Sequence, residues 1–160
     1  MTKGIILWLN TLISTVYLTG PFFDFFVVMS KWRDGSVESL TNYRTFFINA
    51  DPGHFFRIAV PASVLMSVIS FFAYLKSDKR IKILLSIHLV LTLGAFLFTM
   101  LYFLPINNYL FWSKDITLES FKTLNLVNNW VFGEHLRILS GIVALFVAAR
   151  ALHLSYNKLT

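Results

Sequence analysis

Four long apolar runs decide what this chain can become. Residues 5–29, 55–75, 83–104 and 136–154 each approach the ~20 residues a helix needs to cross roughly 30 Å of hydrocarbon. Inside lipid every backbone N–H and C=O must bond within its own segment or in a closed barrel. None of the runs alternates polar and apolar residues as barrel strands do, so four helices follow. Composition agrees: 56% of the 160 residues are hydrophobic, 17% aromatic and only 14% charged, more apolar surface than a soluble domain keeps covered. The predicted fold is all-α, a polytopic membrane four-helix bundle in one domain over residues 1–160, with long loops at 30–54 and 105–135.

With no cysteine, disulfides, thiolate metal sites and cysteine nucleophiles are excluded. The formal charge of +6 does not point to nucleic acid, because the basic residues sit between the apolar runs. The short connection holds Lys76, Lys79, Arg80 and Lys82 against Asp78. Such density predicts a cytoplasmic turn, hence cytoplasmic termini and both long loops outside. The first run lacks a small-x-small cleavage site and is expected to remain as a helix.

The polar residues within and beside the runs carry the functional reading. Asp24 follows Gly20-Pro21 and shares a helical face with Tyr17 and Gly20. The proline frees a carbonyl and bends the helix, and a carboxylate there needs a partner or water. Both remain open. Ser63, Ser67 and Ser70 form one stripe of small residues, and Ser140, Ala144, Ala148 and Ala151 another, which reads as close helix packing. His88, Thr92, Ala95, Thr99 and Tyr102 mark the inward face of the third run. Glu134 and Arg137 are spaced to pair within one helix. His135, turned about 100° from Glu134, is the side chain suited to taking and returning a proton near neutral pH. Trp32, Trp112 and Trp130 stand at expected helix ends, as interfacial anchors do.

The two long loops also resemble each other. Trp32-x-Asp34-x-x-x-Glu38-Ser39 precedes His54-Phe-Phe-Arg57-Ile58, while Trp112-x-x-Asp115-x-x-x-Glu119-Ser120 precedes His135-Leu-Arg137-Ile138. Each half then runs into a helix ending near a lysine, Lys79 or Lys158. Two parallel helix-loop-helix repeats account for this, as does chance agreement of short motifs. Either way, His54 and Arg57 are expected to face His135 and Arg137 across the outer end of the bundle, near Asp24, Asn107 and Asn108.

Metal-ligand spacings such as His-x-x-x-His are missing. Haem is the alternative cofactor, through His54 with His135 or His88 with His153; otherwise no cofactor is expected.

The stretch Leu-Pro-Ile-Asn-Asn-Tyr-Leu-Phe-Trp at 104–112, and Trp130 followed seven residues later by Arg137, resemble the anthrone oxygenase-like family. These are small four-helix integral membrane proteins, mostly of unassigned function; some fungal members are regarded as cofactor-free oxygenases that convert an anthrone to an anthraquinone. The resemblance implies a site with Asn107, Asn108, Trp130 and Arg137, acting on a hydrophobic aromatic or quinol-type molecule. Chemistry adds His135 or His54 as base, with Arg57 and Asp24 nearby as binding residues. The competing class is a non-catalytic membrane protein that binds a lipid, a hydrophobic metabolite or haem, or that packs against a partner.

Overall fold

A computed structural model describes residues 2–49, 51–112 and 119–156, all helices and connections without a strand among them. Helix α1 (Thr2–Phe23) continues through a π-helical turn, Asp24–Val28, and a 3-10 turn, Met29–Lys31. A short helix α2 (Val37–Phe46) leads to α3 (Gly53–Ala73). Then come α4 (Lys79–Phe98), a π-helical turn at Thr99–Phe103, α5 (Leu104–Asn107) and a third π-helical turn at Asn108–Trp112. Helix α6 (Ser120–Tyr156) closes the chain.

Four stretches are long and apolar enough to cross a membrane: Gly4–Lys31, Gly53–Ala73, Lys79–Trp112 and Phe121–Tyr156. Their outward faces carry Phe26, Phe72, Leu101, Leu139 and Phe146 exposed. Such surfaces suit lipid and not water, and the chain is a multi-pass membrane protein.

The expected loop at 105–135 is a correction. The third span runs on to Trp112, and α6 has already begun at Ser120. Pro105 sits in the first turn of α5, where its missing N–H is tolerated, and Ile106 and Leu110 bury the inward side of the continuation. On α6, Thr123, Val127, Trp130, Glu134 and Arg137 are buried at helical spacing, while Asn125, Asn128 and Asn129 are exposed. The outward asparagines lower the mean hydropathy of a segment that is still amphipathic helix.

The long helices touch in a ring, α1 with α3 and α6, and α4 with α3 and α6. Small buried residues let them approach: Ser63, Ser67 and Ser70 on α3, and Ala144, Ala148 and Ala151 on α6. Polar bonds cross the seams. The Ser67 and Thr92 hydroxyls lie 2.8 Å apart, and His88 Nδ1–H donates to the Ala144 carbonyl at 3.1 Å while Nε2 meets the Asn10 amide at 3.2 Å. One end is closed by Leu7, Tyr74, Ile81, Leu85, Ala151 and Leu152, with Trp8 donating to the Tyr156 hydroxyl. The first and last spans therefore put their terminal ends beside the short basic turn.

At the opposite end, Val28, Trp32, Leu40, Tyr43, Phe103, Ile106, Leu110, Val127 and Trp130 form a second core. Trp32 and Trp130 are buried in it, rather than standing at an interface as anchors: Trp32 directly follows the 3-10 turn that ends the first span, and Trp130 lies within a helix that begins earlier than expected. Helix α2 lies over this core. Ser36 caps its N-terminus by accepting from Ser39 N–H, and the turn before it needs Gly35, whose φ is +67°. Hydrogen bonds from Ser39 and Ser36 hold the Asp34 carboxyl below its ordinary pKa.

The two matched loops differ in local structure. Glu38 and Ser39 lie in α2, separate from α3, whereas Glu119 directly precedes the unbroken α6. His54 is in the first turn of α3, but His135 is deep inside α6. Asp115 and Lys158 lie outside the described residues.

Arg44 ties α2 to the end of the third span: its Nε donates to the Leu110 carbonyl at 2.8 Å and Nη2 to that of Tyr109 at 2.6 Å. The carbonyls of a terminal turn lack backbone N–H donors, so a guanidinium there replaces lost helix bonds. Arg44→Ala is expected to cost about 2 kcal/mol, at the scale of hydrogen bonds to charged groups. A lowered thermal midpoint in detergent would show it, and an unchanged midpoint would refute the tie.

Candidate functional site

The site is built around Arg137, which points inward from α6 and is only 3% exposed. Its Nη2 lies 2.6 Å from Glu134 Oε2 and 3.5 Å from Asp24 Oδ2. The short contact is an ion pair without good hydrogen-bond alignment; Arg137 Nε and Glu134 Oε1 have no hydrogen-bond partner among the described residues. The guanidinium also stands over the rings of Phe56 at 4.3 Å and Phe103 at 4.4 Å, so aromatic faces cover it. Asp24, left open between partner and water by the sequence, has a partner. The π-helical turn that begins at Asp24 keeps its carboxyl inward, and Val28, Met29 and Trp32 are buried after it.

Two recesses meet at this residue. A small polar one is lined by Asp24, Asp51, Tyr43, Asn107, Trp130 and Arg137. A larger groove of about 190 Å³ shares Asn107, Trp112, Phe56, Gly53 and Arg137, and adds Arg57 with Pro61, Phe96, Met100 and Leu104. Gly53 keeps the junction open: a Cβ there would come within 2.5 Å of Asp51 Oδ1 and 3.2 Å of the Trp112 ring. Tyr43 lies outside the spans, and burial holds its hydroxyl above the ordinary range, so it is a neutral donor.

Asn107 is fixed by one bond. Trp130 Nε1–H donates to its Oδ1 at 2.7 Å, which orients the amide and leaves its NH₂ as the donating end. Trp130 itself is enclosed by Trp32, Phe103 and Phe111. It holds Asn107 in place.

The structure thus brings together Asp24, Asn107, Trp130, Arg137 and, at the rim, Arg57. It does not bring in the other three. His135 is exposed, its Nδ1–H donating to the Val131 carbonyl at 2.7 Å and its ring against Phe25; it lines neither recess. A residue one position from the inward-facing Glu134 points elsewhere on a helix. His54 is exposed beside Asp51, with Nδ1 3.7 Å from the carboxylate. Asn108 is exposed and lines neither recess. The expected meeting of two His–Arg pairs reduces to the two arginines sharing one groove.

The sequence missed Asp51 and Tyr43. Asp51-Pro52-Gly53 reads as a turn before a helix, and that signal places Asp51 at the mouth of α3 without showing its direction. Among the described residues no group of three or more His, Cys, Asp or Glu is placed to hold a metal ion.

Removing Arg137 leaves two carboxylates buried without a cation. Arg137→Leu is expected to destabilise the protein by about 3–5 kcal/mol. The double variant that also carries Glu134→Leu should recover part of this, by the same reasoning. Equal thermal midpoints for the single variant and wild type would refute the pairing.

Neither a curated protein nor a solved structure matches the chain. Residues 54–147, more than half of the 160, match the family model described as anthrone oxygenase, a range that takes in Arg57, Asn107, Trp130, Glu134 and Arg137; the chain belongs to that family.

Proposed function

We propose that the protein is a membrane oxygenase that uses O₂ on a hydrophobic aromatic ketone or quinol-type substrate, with its own side chains supplying the acid–base chemistry. The observation that carries this reading is the convergence of a carboxylate, Asp24, and oriented donors, Asn107 and Arg137, on recesses beside lipid-facing residues. The orientation that goes with it puts the site at the outer face and both termini in the cytoplasm.

Asp24 is the base in this scheme, replacing His135. It lines the polar recess, whereas Glu134 is fully enclosed. One guanidinium against two carboxylates carries one excess negative charge, so a proton taken up by Asp24 makes the cluster neutral. Asp24 removes a proton from the ring methylene, and the electron pair moves into the ring system, placing charge on the ketone oxygen. The Asn107 NH₂ and Arg137 stabilise that oxygen. The enolate passes one electron to O₂; radical and superoxide join in a C–O bond, and the resulting peroxide takes back the proton. Loss of water then converts the carbon to a ketone, so methylene and O₂ give ketone and water.

The test is oxygen uptake by the purified protein with an anthrone, with one O₂ consumed per anthraquinone formed. Asp24→Asn is expected to lower kcat by about 10²-fold or more, the scale of a lost general base. Asn107→Ala is expected to lower it by about 10²-fold, whereas His135→Ala stays near wild type. No turnover by the wild-type protein would overturn the activity; full activity in Asp24→Asn would overturn the assignment of the base.

A further inference from the structure

The groove between α3 and the α4–α5 segment has a property that oxygen chemistry does not require: two guanidiniums of unlike surroundings line one apolar trough. Arg137 is buried and countered by two carboxylates. Arg57, one turn into α3, is exposed, with its guanidinium 5.7 Å from the Trp112 ring centroid and no ion pair among the described residues. Val60, Pro61, Phe96, Met100 and Leu104 line the rest of the trough, and Met100 and Leu104 are themselves exposed on the lipid-facing surface. At about 190 Å³ the trough is smaller than the roughly 300 Å³ at which sites enclosing a drug-sized ligand begin. It therefore holds part of a ligand whose remainder stays in the bilayer. An arginine with no ion pair among the described residues, beside an aromatic face and an apolar wall, is complementary to a flat aromatic body bearing an acidic group.

We infer that Arg57 selects aromatic substrates with an anionic substituent, a carboxylate or phenolate, which enter sideways from the bilayer between α3 and α4 with the anion at the membrane surface. This rests on the oxygenase reading for the word substrate, though not for the binding. Arg57 is a specificity-determining residue; the reacting carbon lies farther in, toward Asp24.

Binding of an anthraquinone carboxylic acid that carries no hydroxyl group, and of its methyl ester, separates the ideas. Each is titrated by tryptophan fluorescence into protein in nanodiscs of zwitterionic lipid, with and without phosphatidylglycerol. Wild type is expected to prefer the acid by about tenfold, the scale of one charge-assisted hydrogen bond. Arg57→Gln should lose that preference while binding the ester as wild type does, and Arg57→Lys should keep part of it. Equal binding of acid and ester by wild type, or an intact preference in Arg57→Gln, overturns the inference. Displacement of the acid by phosphatidylglycerol also overturns it, since the groove then serves a lipid headgroup. Acid preference without O₂ uptake leaves the inference standing and removes the oxygenase; turnover without acid preference does the reverse.

Discussion

A guanidinium buried in an apolar bundle must be surrounded by compensation, and at Arg137 that requirement organises the end of the molecule that holds the candidate site. An isolated charge there would cost several kcal/mol even after relaxation. Compensation comes from four elements: Glu134 one turn away on α6, Asp24 at the break after α1, the ring of Phe56 on α3 and the ring of Phe103 before α5. Asp24, Phe56 and Phe103 each fix the position of their own segment relative to α6. The site and the packing of its walls are therefore one arrangement, and a change that loosens the ion cluster loosens the recesses as well.

The two ends of the bundle are stabilised differently. Toward the termini, neutral hydrogen bonds such as Ser67–Thr92 and the bonds of His88 join regular helices. Toward the site, the helices are interrupted by π-helical turns at Asp24–Val28, Thr99–Phe103 and Asn108–Trp112. A π turn inserts an extra residue and resets which side chains face inward. Asp24 opens one such turn, Asn107 directly precedes another, and both line the polar recess.

The sequence made the four spans legible because hydrophobic runs of that length have few other solutions. It did not make span ends legible, since a mean over Asn125, Asn128 and Asn129 hides the buried face of Thr123, Val127 and Trp130. Asp24, Asn107, Trp130 and Arg137, which line the same recess, were recognisable as members of the candidate site through intramembrane charge or family motif. Their roles were less so: whether Trp130 meets a ligand or an amide depends on which rings cover it. His135 shows the same limit, because a helical residue adjacent in sequence to Glu134 faces another way. Asp51 and Tyr43 reach the recess through the path of a loop and a short helix, which no local spacing encodes.

Arg44 joins a surface helix to the far end of a transmembrane span through the carbonyls of Tyr109 and Leu110. Trp112, on the rim of the groove, is two residues further along the same turn. The position of the rim is therefore inherited in part from a short helix that follows the first span, and a substitution at Arg44 reaches Trp112 without altering any residue that lines the groove.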